Sequence, residues 1–230
     1  MVFVLINMSD IKKNIKLVLD EIEQNSNNLK KNIRLVAVSK GQNYLKIKEA
    51  FDAGQKYFGE NYLQEALEKK ELLEGLDIEW HFIGPIQSNK CKAIAENFSW
   101  VQTVDRIKIA NRLNQYRSSS NPLNVCLQIN ISNEPTKSGV HIDEVEEFAK
   151  IIFNLKNLNL RGLMAIPSKA NKIEALISQY QTLKEIFEKL KTNYSSIDTL
   201  SLGMTNDYLL AIENGSNLVR IGTKIFGKRN

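Results

Sequence analysis

The sequence predicts a single α/β domain over residues 1–230, a (β/α)8 TIM-type barrel with one extra helix before its first strand. Three observations predict it. Short β-rich runs alternate with amphipathic helical stretches along the chain, which implies parallel strands joined by helical crossovers. The β-rich runs number eight, enough to close the sheet on itself. No linker rich in Pro, Gly or Ser divides the chain. Barrels typically run to about 250 residues, so there is little room for insertions. An open doubly wound sheet is the alternative arrangement of the same units.

Each element has a local reason. The first helix opens after Ser9 or Asp10, either of which can cap it. Ile11, Ile15, Val18, Leu19 and Ile22 then recur at helical spacing. Polar residues 25–31 end it, and 33–38 form the first buried strand. The helix 44–53 stops at Gly54. A short strand at 57–59 and a helix over 61–73 follow, the latter stopping before Gly75. The third strand is 78–83 with its helix at 88–97, and the fourth is 100–104 with its helix at 105–116. After the loop 118–122 come the fifth strand, 124–131, and the helix 142–155. The sixth strand, 160–166, precedes a long helix over 173–191. The seventh, 199–202, precedes a helix over 206–213 that ends near Gly215, and 218–221 is the eighth.

Composition narrows the function classes. Hydrophobic residues make up 43% of the chain and charged residues 25%, so it can bury a sizeable core as a globular protein. A net charge of +5 points toward nucleic acid or anionic ligands. The lysines, however, interleave with glutamates on helix faces, as in Glu68-Lys69-Lys70-Glu71. No basic cluster carries aromatics between its charges, so no nucleic-acid partner is expected. Cys91 and Cys126 lie far apart without metal spacing. They are expected as buried apolar residues of a protein in a reducing cytoplasm. No apolar run is long enough to span a membrane. The start is apolar but lacks a basic n-region and a cleavage site. Residues 1–7 are expected to be an extension, with Met8 an alternative start.

In a (β/α)8 barrel the active site lies at the C-terminal ends of the strands. Those ends carry Ser39-Lys40, Gly59-Glu60-Asn61, His81 with Gly84, residues 130–139 and 164–167, Gly203-Met204-Thr205, and Arg220-Ile221-Gly222-Thr223. With only two histidines, neither a zinc site nor a His-centred triad is well supplied. Lys40 follows the apolar run Leu35-Val36-Ala37-Val38, so alternation projects it into the barrel mouth or just above it. Poor solvation and nearby cations such as Arg220 favour the neutral amine, the form that condenses with a carbonyl. The competing reading is a lysine snorkelling to solvent from a strand end, and position alone favours it.

The end of the eighth strand shifts that balance. Phosphate sites in barrels often lie in the loops after strands seven and eight. Gly222 lets the backbone approach an anion, Thr223 adds a hydroxyl, and successive N–H groups can cradle phosphate. Ser201 and Gly203 at the neighbouring strand end can complete the cup. A tight turn closing the barrel is the other reading. Strand eight closes onto strand one, so a reactive lysine and a phosphate cup stand together. That suits a phosphorylated aldehyde, of which pyridoxal 5′-phosphate is the common one. Arg220 can face its pyridine nitrogen, keeping it unprotonated and weakening the ring as an electron sink. Otherwise Arg220 forms a structural ion pair with an acidic neighbour.

These residues lie in motifs that resemble those of the pyridoxal phosphate homeostasis proteins, which are similar to the N-terminal barrel domain of alanine racemase. The motifs include Val36-Ala37-Val38-Ser39-Lys40, Phe58-Gly59-Glu60-Asn61-Tyr62, Trp80-His81-Phe82-Ile83-Gly84-Pro85, Leu200-Ser201-Leu202-Gly203-Met204-Thr205-Asn206-Asp207 and Val219-Arg220-Ile221-Gly222-Thr223. The likeness runs over nearly the whole chain and is highly specific in this order. It implies that Lys40 forms a Schiff base with pyridoxal 5′-phosphate and that Ser201, Gly222 and Thr223 hold the phosphate. It also implies that Arg220 faces the pyridine nitrogen and that Asn61 lies near the ring. Met204 is expected to pack against the phosphate loop. His81 is expected to be a hydrogen-bonded structural histidine, and Trp80 and Trp100 core or rim residues. Glu60 either joins the pocket or caps a helix beginning at Asn61. Lys137 is either a second anion contact or a solvated loop charge. One departure is that Gly41-Gln42-Asn43 stands where the family carries a proline, which predicts a looser loop after strand one.

The implied function is cofactor homeostasis. The protein would hold pyridoxal 5′-phosphate and supply it to apo-enzymes that need it, without strong catalysis of its own. An amino-acid racemase is the alternative. Racemisation needs acid–base groups on both faces of the substrate–cofactor plane, and alanine racemase draws the second from another domain across a dimer. This sequence stops within a few residues of strand eight, so no such domain is expected, and a monomer is the expected state.

Overall fold

Eight parallel strands close into one barrel in chain order in the computed structural model, which describes residues 9–27, 32–132, 134, 136–167 and 172–228. The strands are β1 (Arg34–Val38), β2 (Tyr57–Glu60), β3 (Glu79–Phe82), β4 (Trp100–Val104), β5 (Leu123–Ile129), β6 (Leu158–Ala165), β7 (Thr199–Ser201) and β8 (Leu218–Ile221). β1 pairs with β8 from Arg34↔Leu218 to Ala37↔Ile221, which closes the sheet and rules out the open alternative. The proposed extension at 1–7 and Met8 lie outside the described residues.

The helices follow the strands as expected: α1 (Ser9–Asn27), α2 (Tyr44–Asp52), α3 (Leu63–Leu72), α4 (Cys91–Asn97), α5 (Ile107–Gln115), α6 (Val145–Phe153), α7 (Ile173–Asn193), α8 (Tyr208–Glu213) and α9 (Thr223–Phe226). Three differences bear on the site. The helix after β2 starts at Leu63 rather than Asn61, because Tyr62 is still extended at φ −119°. α4 and α6 are each opened by a short 3-10 turn, Ser88–Lys90 and Ile142–Glu144. The single turn α9 after β8 was not predicted; four residues carry no readable helical period.

Alternation along the strands sorts side chains into two layers. One face packs on the helices in the main apolar core, as do Val219 and Ile221 of β8 and Trp80 and Phe82 of β3. The other face points to the barrel axis, where buried polar groups stand: His81, Gln102, Ser201 and Arg220. Toward the N-terminal end, two guanidinium groups lie over the Trp100 ring, Arg34 at 4.9 Å and Arg161 at 4.8 Å, and His81 is stacked on it at 5.2 Å. Both tryptophans are therefore interior residues, and both cysteines are buried free thiols, as expected. Among the described residues no helix is long and apolar enough to cross a membrane, and no cluster of potential metal ligands occurs.

Candidate functional site

The C-terminal strand ends surround a cleft of about 520 Å³. Lys40, Asn61, Met204, Arg220, Gly222 and Thr223 all line it, six of the seven residues singled out from sequence. Ser201 does not. It is fully buried beneath the cleft, where its hydroxyl donates to Gln102 Oε1 at 2.7 Å and accepts from Arg220 Nη1 at 2.5 Å. Alternation points it at the barrel axis, so it backs Arg220 instead of completing a phosphate cup.

Lys40 follows β1, and the backbone on both sides of it is held. Ser39 Oγ donates to Glu60 Oε1 at 2.7 Å, and Lys69 Nζ donates to the Ser39 carbonyl at 2.8 Å. Lys69 also pairs with Glu60 Oε1 at 2.7 Å and Glu65 Oε1 at 2.5 Å, and Gly41 N–H donates to that Glu65 oxygen at 2.5 Å. Burial pushes the Glu60 carboxyl above its ordinary value, although Lys69 and Ser39 pull the other way. This network buries Lys69, one lysine of the charged run, to 6% exposure, and it bears on two expectations. Glu60 caps no helix; it ends β2 facing α3. The loop after β1 is not loose. Gln42 N–H bonds the Ser39 carbonyl at 3.0 Å, and Asn43 caps α2 by accepting from Leu45 N–H at 2.9 Å.

Arg220 is 4% exposed. Its Nη1 donates to the Ser201 carbonyl at 2.8 Å as well as to the hydroxyl, and Nη2 donates to the Ala165 carbonyl at 3.0 Å. No carboxylate forms an ion pair with it among the described residues, so the structural ion pair is replaced by carbonyl and hydroxyl partners. Burial lowers its pKa to about 10, with Tyr180 and Asp207 opposing, which leaves it charged at neutral pH.

The loop after β7 is fixed by Asp207, which accepts from Met204 N–H at 2.8 Å and from the Tyr180 hydroxyl at 2.5 Å. Met204 stands on the cleft wall and is 41% exposed. Asn61 Oδ1 is buried without a hydrogen-bond partner among the described residues. Asn61 lies on the wall shared with an adjoining cleft of about 290 Å³, which Lys137 also lines. Lys137, on the wall of that adjoining cleft, pairs with Glu134 of its own loop at 2.8 Å.

These residues fit pyridoxal 5′-phosphate. The group needs an amine for its aldehyde, an anion cradle for its phosphate and a partner for its ring nitrogen. Lys40, the Gly222–Thr223 turn and Arg220 stand ready for the three. A Cβ at Gly222 would lie 3.0 Å from the Val38 carbonyl, so the turn after β8 packs directly on the end of β1. Asn61 Oδ1 is a buried acceptor without a partner among the described residues, which is costly, so a donor on a bound ligand would be favoured at this wall.

Comparison with known proteins agrees with this geometry. The family model described as "Alanine racemase, N-terminal domain" matches residues 17–230. A pyridoxal phosphate homeostasis protein of Haemophilus influenzae is 53% identical over 79% of this chain and 78% of its own length. One from Vibrio alginolyticus is 47% identical over 97% of this chain and 99% of its own. The structure of PipY from Synechococcus elongatus PCC7942 with PLP bound superposes with a TM-score of 0.81 at 28% identity, over 94% of this chain and all of that one. The fold and the lysine–arginine cleft thus define a barrel of the alanine racemase N-terminal type. The chain belongs to that family and, within it, to the pyridoxal phosphate homeostasis proteins.

Sequence reasoning missed Lys69 and Gln102. Lys69 lies within a charged run, yet it sits four residues after Glu65 on α3, a spacing that pairs opposite charges. Gln102 was signalled by its place in β4, one period-2 step from Trp100 on the axial face.

Proposed function

We propose that this protein binds pyridoxal 5′-phosphate in the main cleft, with Lys40 as its covalent anchor, and serves cofactor homeostasis as a carrier. The observation that carries this reading is the presence of Lys40, Arg220 and the Gly222–Thr223 turn in one cleft, across the closing strand pair β1 and β8. When bound, the cofactor supplies an aldehyde that condenses with a primary amine as a Schiff base. Lys40 provides the amine. Backbone N–H groups at Gly222–Thr223 and the Thr223 hydroxyl receive the phosphate. Arg220, charged and donor-only, faces the ring nitrogen and disfavours its protonation, so the ring is a weak electron sink.

The same cleft argues for carriage over racemisation. Among the described lining residues, Asp207 is the acid–base group other than Lys40 and Arg220, and its two oxygens are engaged by Tyr180 and Met204. The two buried free thiols fit a reducing cytoplasm. We place the protein there as a monomer that supplies cofactor to apo-enzymes.

Borohydride reduction of the cofactor-loaded protein followed by peptide mass mapping tests the anchor. The adduct is expected on the Lys40 peptide and absent from Lys40→Ala, which keeps its far-ultraviolet dichroism. An adduct on a different lysine, or none, would overturn the assignment. Incubation with L-amino acids in deuterated solvent tests the carrier reading. Exchange at Cα at enzyme-like rates would favour a racemase instead.

A further inference from the structure

A second feature runs down the barrel axis, away from Lys40. Arg220 Nη1 donates to Ser201 Oγ at 2.5 Å. Ser201 Oγ donates to Gln102 Oε1 at 2.7 Å. Gln102 Nε2 lies 2.9 Å from His81 Nδ1, and His81 Nε2 lies 3.1 Å from Glu79 Oε1. Ser201, Gln102 and His81 are all buried, whereas the Glu79 side chain is 35% exposed at the start of β3. One unbroken chain of side chains thus joins the cleft to the opposite end of the barrel.

Both ends dictate its direction. A guanidinium only donates, and a carboxylate only accepts. Ser201 receives from Arg220, so its own proton goes to the Gln102 carbonyl oxygen. The Gln102 amide then offers its N–H to His81 Nδ1, which must be the bare nitrogen. The imidazole keeps one proton, on Nε2, and gives it to Glu79. Every donor therefore points from the cation in the cleft toward the carboxylate at the far end. Such aligned chains polarise one another. Burial also pushes the His81 pKa below its ordinary value, despite Glu79, which keeps the ring in the neutral form the chain requires.

We infer that Gln102, His81 and Glu79 are positioning residues for the cofactor site: through Ser201 they fix the plane and reach of the Arg220 guanidinium where it meets a pyridine nitrogen. This rests on the proposed binding of pyridoxal 5′-phosphate. None of the three lines the cleft, so they act only through Arg220. Protonation of His81 would reverse the middle of the chain. Nδ1 would need an acceptor, the Gln102 amide would turn, and Ser201 would lose the oxygen that takes its proton.

The test has two arms. The first reads the histidine side-chain nitrogens of the cofactor-free protein by long-range proton–nitrogen correlation at neutral pH, with His141→Asn to assign the only other histidine. A neutral His81 with its proton on Nε2 is expected; a proton on Nδ1 would overturn the chain. The second titrates pyridoxine 5′-phosphate, which has the ring nitrogen and phosphate but no aldehyde and so bypasses Lys40. Gln102→Met is expected to weaken it about tenfold, the scale of one lost charge-assisted hydrogen bond, with inorganic phosphate affinity unchanged. Gln102→Glu is isosteric and again accepts from Ser201. It is expected to restore affinity while making His81 doubly protonated, a charge change that a merely space-filling role does not produce. Wild-type affinity in Gln102→Met, or a neutral His81 in Gln102→Glu, would refute the inference. Failure of the wild type to bind pyridoxine phosphate would instead strike the reading of the cleft, and the tautomer would still decide the chain.

Discussion

The ammonium group of Lys69 lies 2.8 Å from the carbonyl oxygen of Ser39, the residue immediately before Lys40. The same ammonium is 2.7 Å from Glu60, whose carboxylate is fully buried. A helix residue thus ties the end of β1 to the end of β2 at the point where the candidate anchor emerges. Removing one partner of a buried pair leaves an uncompensated charge, which costs about 3–5 kcal/mol. Lys69→Met is therefore expected to lower the free energy of unfolding by about that amount, read from a urea denaturation curve. Lys69→Met combined with Glu60→Gln should recover part of the loss, since the stranded charge is gone. Equal losses in the single and double variants would show that Glu60 is not held by Lys69.

The wall beside Asn61 depends on the absence of a side chain at Gly84. A Cβ there would stand 2.0 Å from the Asn61 carbonyl oxygen, and both partners are backbone, so neither can yield cheaply. Gly84→Ala is expected to destabilise by about 1–3 kcal/mol, the usual cost of forced overpacking. Because the displaced residue is Asn61, cofactor affinity should fall along with the melting temperature. A stable variant with unchanged affinity would show that β3 shifts without carrying Asn61 with it.

The barrel was legible because its signal is repetitive. Apolar strand runs and helical periods recur eight times, and the order alone implies parallel closure. That Lys40, Arg220 and Gly222–Thr223 share one cleft was legible because strand-end position limits which side chains can meet at the barrel mouth. Ser201 was misplaced because the motif gives its neighbourhood but not its face. One residue along a strand turns a side chain from the helices to the axis. Lys69 was hidden for a related reason: a lysine in a charged run reads as solvated unless its helix face is tracked against the barrel. The axial chain was within reach of the sequence, since β3, β7 and β8 place Glu79, His81, Ser201 and Arg220 at alternate positions. What the sequence does not carry is the register between strands that brings His81 level with Trp100 and Met164 level with Ser201.

Thr223 is an exposed residue at the start of α9, beside Gly222. Thr223→Val keeps the shape and removes the donor. Exposed substitutions of this kind stay within about 0.5 kcal/mol in stability, so melting should be unchanged. Pyridoxal 5′-phosphate affinity is expected to fall about fivefold, as for one hydrogen bond to an anion. Phosphate-free pyridoxal should bind as before. An equal loss for both ligands would move the phosphate away from this turn.

The pH dependence of folding should carry the mark of His81. Its ring meets Glu79 on its own strand, the edge of Tyr57 from β2, the face of Trp100 and the amide of Gln102 from β4, and the charge of Arg34 from β1. Burial lowers its pKa from the ordinary 6.5; Glu79 opposes this but does not win, and Arg34 adds to the lowering. The unfolded chain therefore binds more protons than the folded one as the pH drops below that ordinary value. Stability rises with pH wherever the unfolded state binds more protons. The His81 contribution is thus complete above the ordinary value and is lost as the pH falls from there toward the folded pKa. Urea midpoints measured at pH 7.5 and 5.5 (both above the range where most carboxylates titrate, about 4) should differ in the wild type and differ less in His81→Gln. The substitution removes the titrating ring while leaving His141 in place, so any slope that remains belongs to other groups. An unchanged slope would mean that acid sensitivity in this window does not arise at the barrel axis.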